Sequence, residues 1–124
     1  MKIVLLEPLG ISEEKLKTLV QPFLADGHSF IALDQNSSEV TLLENMQDAD
    51  VIVVGNMPLR GEMIAQCQKL RFISIAFTGF DHVDIEQCRR QGIAVSNASG
   101  YATTAVAEAT IGLMISTMRH FRET

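Results

Sequence analysis

Short apolar runs alternate along the chain with segments whose apolar residues recur at helical spacing. Lys2–Glu7 (KIVLLE) is a continuous β-rich run closed by Pro8 and Gly10. Ser12 then stands where a helix N-cap belongs, ahead of Leu16, Leu19, Val20 and Phe23 at i, i+3, i+4 and i+7. Asp26-Gly27 breaks that helix, Ser29–Leu33 reads as a second strand, and Ser37 or Ser38 caps a helix carrying Val40, Leu43 and Met46. Asp50–Gly55 (DVIVVG) is apolar on both faces, as a buried parallel strand is. Asn56-Met57-Pro58 makes a turn, a short helix spans Gly61–Gln68, and Arg71–Phe77 forms a fourth strand. Asp84, with Gln87 three residues on, predicts a capping box for a helix over Ile85–Arg90. Gly92 ends that helix, and Ile93–Ser96 is a fifth strand.

Five strands separated by helices imply right-handed crossovers and one parallel sheet covered on both faces. The expected architecture is α/β, a flavodoxin-like doubly wound sheet of order 2-1-3-4-5 with a long C-terminal helix. Ligands of such sheets bind beyond the carboxyl ends of the strands, and Pro8-Leu9-Gly10, Gly55-Asn56-Met57-Pro58 and Thr78-Gly79 supply that rim. The helix expected over residues 104–120, on the order of 25 Å long, is apolar or small nearly all the way round from Ala105 to Ile115. Such a helix wants burial on several sides, of which a five-strand domain covers one.

At 124 residues the chain holds one domain, and 47% hydrophobic with 20% charged residues is ordinary globular composition. A net charge of −5 without a Lys/Arg run argues against nucleic-acid partners. The apolar run at Met1–Pro8 is too short for a signal peptide, and Ala105–Met118 is too short for a membrane span. Cys67 and Cys88 lack CxxC spacing and read as idle thiols in a reducing compartment, so a soluble cytoplasmic domain is expected.

Candidate chemistry is sparse. The third strand ends in Gly55-Asn56 rather than a phosphorylatable Asp, Pro8-Leu9-Gly10-Ile11-Ser12 makes a poor flavin phosphate loop, and no GxGxxG occurs. Asp81-His82-Val83-Asp84 is more simply turn and capping chemistry than a metal site, so no metal is expected. No catalytic triad can be assembled.

One stretch carries a specific pattern. Phe77-Thr78-Gly79-Phe80-Asp81-His82-Val83-Asp84, then Gln91-Gly92-Ile93-Ala94-Val95-Ser96-Asn97, then Gly100-Tyr101-Ala102-Thr103-Thr104-Ala105-Val106-Ala107-Glu108 resembles the D-isomer-specific 2-hydroxyacid dehydrogenases. That family has a G-x-D-x-[IV]-D turn, a G-I-x-V-x-N strand and an A-V-A-E helix start in this order. The resemblance spans essentially the whole chain, although Ala98-Ser99-Gly100 stands where the family usually has a proline before the glycine.

The resemblance implies that the amides of Thr78 and Gly79 hold a substrate carboxylate, that Asn56 and Met57 line the same cleft, and that Tyr101 and Ala102 face the reacting carbon. It places Thr103, Thr104 and Val106 at the nicotinamide end of NAD or NADP, and Asp81, Asp84, Asn97 and Glu108 in structural roles. It implies no catalytic residue in this chain, because the family's Arg, Glu and His follow in a later Rossmann domain. The expected organisation is a substrate-binding domain over residues 1–101 and an interdomain helix over 102–124. The expected function is that of the substrate-binding domain of an NAD(P)-dependent D-2-hydroxyacid dehydrogenase, inactive alone and served by a Rossmann domain in cis or trans. The alternative is a stand-alone module binding a small carboxylate or a protein without catalysis. Either reading allows a homodimer through the C-terminal helix.

Overall fold

The structure is a computed structural model, and it describes residues 1–120. The elements run β1 (Lys2–Leu5), α1 (Glu13–Ala25), β2 (Ser29–Ala32), α2 (Glu39–Met46), β3 (Val51–Val54), α3 (Gly61–Ala65), β4 (Phe72–Ile75), α4 (Ile85–Gln91), β5 (Ala94–Asn97) and α5 (Thr103–Met118). All five strands pair in parallel, in the expected order β2-β1-β3-β4-β5.

Local chemistry sets the helix starts. Ser12 Oγ accepts from Lys15 N at 3.3 Å, and Ser38, rather than Ser37, accepts from Thr41 N at 3.2 Å. Asp84 Oδ1 accepts from Gln87 N at 2.8 Å, but the predicted capping box is only half made. Gln87 turns its side-chain amide to Gln91 and Arg90, because the Asp84 amide is already donated to the Leu59 carbonyl at 3.1 Å. Gly92 closes α4 in the left-handed region, at φ 70°.

Alternate residues of each strand point to opposite faces. Val4, Ile52, Ile73 and Val95 stand in register across one face. They pack with Leu42 and Met46 of α2, Met63 and Ile64 of α3, and Cys88 of α4. Val4, Leu6, Ile52, Val54, Ile73 and Ile75 are almost wholly buried there, each removal from water contributing roughly 1.5–3 kcal/mol.

The second face, expected to be covered as well, is covered only in part. Ile3 and Leu5 are buried on the second face, where Val20 of α1 is also buried. Across β3 to β5, however, Val51, Val53, Phe72 and Ser74 are only half-buried, and Ala94 and Ser96 are exposed. The expectation that the domain covers one side of the last helix is corrected too. No residue of α5 is buried, and Val106, Ile111, Leu113, Met114, Ile115 and Met118 are all at least 50% exposed. Its apolar residues ring the axis instead of forming one stripe, so no single face directs it onto the sheet. The expected interdomain segment runs on to Thr124, and its residues 121–124 lie outside the described residues.

Candidate functional site

The carboxyl ends of β3, β4 and β5 deliver three loops to one rim. Ala76 N donates to Val54 O at 2.8 Å, so Gly55-Asn56 and Phe77-Thr78 leave from adjacent strands. The two loops are then stitched together. Leu59 N donates to His82 O at 2.8 Å, Asp84 N returns to Leu59 O, and Leu59 and Val83 form an isolated parallel bridge.

Thr78 and Gly79 sit in the β4–α4 loop. Among the described residues neither backbone amide has a hydrogen-bond partner. The Thr78 carbonyl, by contrast, accepts from Asn97 Nδ2 at 2.7 Å. A trans peptide unit is planar, so its N–H points opposite its C=O. Tying Thr78 O to the end of β5 therefore aims the Gly79 N–H away from β5. A Cβ added at Gly79 would meet no atom within 4 Å, and its φ is not positive. Neither internal packing nor backbone conformation calls for glycine here, whereas close approach of an outside ligand to the backbone would.

Thr78 also borders an open cleft of about 360 Å³ with Gly100, Ala102, Thr103, Val106 and Ala107. Four expected site residues thus meet in one place: Thr78, Ala102, Thr103 and Val106. Helix α5 begins there with Ala102 as N-cap, which offers no side-chain cap. The amides of Thr104 and Ala105 have no partner among the described residues. An uncapped helix N-terminus carries partial positive charge, so this end of the cleft favours an anion or a polarised carbonyl.

The other expected residues lie outside that cleft. Tyr101 is 67% exposed and Thr104 is exposed. Asn56 is exposed on the β3–α3 loop, and Met57 is half-buried with its side chain packed on the core. Asp84 and Asn97 make the cap and turn hydrogen bonds expected of them, while the carboxylates of Asp81 and Glu108 are exposed. His82 is half-buried, with Nε2 shut from solvent and unpartnered among the described residues. Among those residues no three His, Cys, Asp or Glu side chains gather as a metal site.

The sequence reading missed the role of Glu7. Its Oε1 accepts from the amides of Gly55, Asn56 and Met57. A carboxylate two residues beyond β1, beside the turn that follows β3, was the available signal. A concavity of about 710 Å³ lies between α1 and β2 at the opposite edge of the sheet. Leu16, Val20, Leu24, Phe30 and Ala32 line it, which gives apolar packing space rather than reactive groups.

As a wall for a nicotinamide ring, the small side chains around Ala102, Thr103 and Val106 fit. A dinucleotide's phosphates would need a glycine-rich cradle, which the sequence lacks.

Comparison with known proteins bears on the fold and the family. The chain is 34% identical over 120 residues to the D-3-phosphoglycerate dehydrogenase of Methanocaldococcus jannaschii, covering 96% of this chain and 21% of that protein. It is 30% identical over 109 residues to the glycerate dehydrogenase of Methylorubrum extorquens, covering 88% and 34%. The NAD+-bound 3-phosphoglycerate dehydrogenase of Entamoeba histolytica superposes with a TM-score of 0.79 at 30% identity, over 94% of this chain and 38% of that one. The chain therefore spans between about a fifth and two-fifths of the length of these relatives. The family pattern described as D-isomer specific 2-hydroxyacid dehydrogenase, catalytic domain, runs through residues 3–121, and the chain belongs to that family.

Proposed function

We propose that this chain is the substrate-binding domain of an NAD- or NADP-dependent dehydrogenase acting on a small D-2-hydroxy acid or its 2-keto acid, working in the cytoplasm. The pair of unpartnered amides at Thr78 and Gly79, the second oriented through Asn97, beside an uncapped helix start, carries the proposal. Two N–H groups from consecutive residues suit the substrate carboxylate, which leaves the adjoining 2-carbon toward Tyr101 and Ala102. Asn56 and Met57, on the neighbouring loop, bound the space for the substrate side chain. Thr103, Thr104 and Val106 form the wall toward the nicotinamide, which when bound donates or accepts the hydride.

Residues 1–101 form the substrate unit, and 102–124 lead toward a Rossmann domain, in cis or trans, that covers α5 and brings the acid–base and electrophilic groups. The chain alone then binds substrate weakly and does not turn over. With the α5 apolar residues exposed on every side, self-association of the isolated chain through α5 is the second expectation.

Amide NMR of the ¹⁵N-labelled chain during glycolate addition tests the reading. Shifts concentrated at Thr78 and Gly79 support it; a flat response there refutes the carboxylate site. Sustained NADH oxidation by the chain with glyoxylate, pyruvate or hydroxypyruvate would overturn the division of labour.

A further inference from the structure

In an open parallel sheet the ligand crevice lies where the strand order reverses, here between the carboxyl ends of β1 and β3. That crevice is already filled from within. The backbone N–H groups of Gly55, Asn56 and Met57 donate to one oxygen, Oε1 of Glu7, at 2.9, 2.6 and 2.6 Å. Three successive amides converging on a point make a nest of the kind that binds phosphates and carboxylates, and charge-assisted hydrogen bonds of this length are strong ones.

The surroundings are built to seat this carboxylate. Leu6, just before it, is fully buried and donates its N–H to Val53 O at 2.9 Å, so the backbone of Glu7 is held beside β3. A Cβ at Gly55 would stand 3.1 Å from Glu7 Oε1 and 3.4 Å from Cδ, so the carboxylate would have to shift by a few tenths of an ångström to admit it. Glycine at 55 thus leaves the carboxylate room to sit on the three amides.

We infer that Glu7 is a built-in stand-in for a ligand carboxylate. It locks the Gly55–Met57 loop in its anion-bound form and closes the switch-point nest to the carboxylate of the substrate. It is a positioning residue: its negative charge and its occupancy leave Thr78 and Gly79, one strand further along the rim, as the place where an outside carboxylate can bind. The latent site under Glu7 takes a small carboxylate once that side chain is removed. The exclusion of substrate rests on the function proposed above; the latent nest does not.

Glu7→Ala and Glu7→Gln in the ¹⁵N-labelled chain test this, with acetate as the probe. In E7A the amide protons of Gly55, Asn56 and Met57 should move upfield, and added acetate should return them toward their original positions. The same amides in the unsubstituted chain should ignore acetate, because the nest is full. E7Q should show the upfield shift without the acetate response, since its side chain still fills the space. Amides that stay in place on substitution, or acetate-insensitive amides in folded E7A, would overturn the inference. If E7A does not fold, E7Q decides, and unshifted amides there overturn it. Glycolate separates the two readings: in E7A it should perturb both nests, whereas a response at Gly55–Met57 alone would sustain the latent site and sink the Thr78–Gly79 site.

Discussion

Asn97, the last residue of β5, donates its side-chain amide to the carbonyl of Thr78 at 2.7 Å, across nineteen residues of sequence. Through the rigid peptide plane that bond orients the Gly79 N–H, so a residue at the end of β5 controls a donor of the β4–α4 loop. Asn97→Ala should lower stability by about 1 kcal/mol, the ordinary value of such a bond, and weaken glycolate binding at Gly79 more than stability alone accounts for. Asn97→Asp, which sets an acceptor against an acceptor, should be worse than Ala. Urea unfolding alongside amide-detected glycolate titration checks both.

Asp84 caps α4 and lies against Gly61, where an added Cβ would run into Asp84 Oδ2. Asp84→Ala should cost about 1 kcal/mol through the lost cap. Gly61→Ala should destabilise by crowding the same carboxylate, and the double variant should cost less than the sum of the two. A double-mutant cycle by chemical denaturation measures this coupling, and strict additivity would contradict it.

The unequal cover of the two sheet faces has an energetic signature. Ile52→Ala empties a fully buried site and should cost roughly 2–5 kcal/mol. Val53→Ala, next along the same strand but half-buried on the thinly covered face, should cost clearly less. Equilibrium unfolding of the two variants checks the order.

Cys67 lies in the core, and burial pushes its thiol up to about 11. Between the ordinary thiol value near 9 and about 11, the unfolded chain loses the proton while the folded chain keeps it. Stability from this group is therefore complete below pH 9 and falls as pH rises, by roughly tenfold in the folding equilibrium per pH unit. Cys67→Ser should flatten that alkaline slope. In the native chain at pH 8, iodoacetamide should modify Cys67 only as fast as the protein opens.

Because no residue of α5 is buried and Leu113 and Met118 are 69% and 77% exposed, Leu113→Glu and Met118→Lys should leave unfolding stability within about 0.5 kcal/mol. They should also reduce self-association at high concentration, which sedimentation velocity reads directly. A large loss of stability would mean that α5 contributes to the fold of the isolated chain.

Much of the fold was legible because its signals are local. The apolar runs marked every strand, and Ser12, Asp84 and Gly92 marked helix ends through groups that act within three or four residues. The boundaries drifted where the ladder decided them. Phe77 is as apolar as Phe72, yet β4 ends at Ile75. The site was legible in part for the same reason. Thr78, Ala102, Thr103 and Val106 were recognised from an ordered pattern, and the structure brings these four to one cleft. That Met57 turns its side chain to the core, and that Glu7 holds three amides of a loop 48 to 50 residues away, could not be read from spacing.

By itself the sequence determined the class of fold, the strand order, the family, and the apolar girth of the last helix. Those depend on periodicity, turn residues and motif order, which are properties of neighbouring positions. Only the tertiary structure decided which sheet face is covered, that no residue of α5 is buried, and that the switch-point nest is occupied from within. Each of these depends on which distant groups reach one another first: a buried Leu6 fixes where Glu7 can reach, and a glycine at 55 leaves the room for its carboxylate.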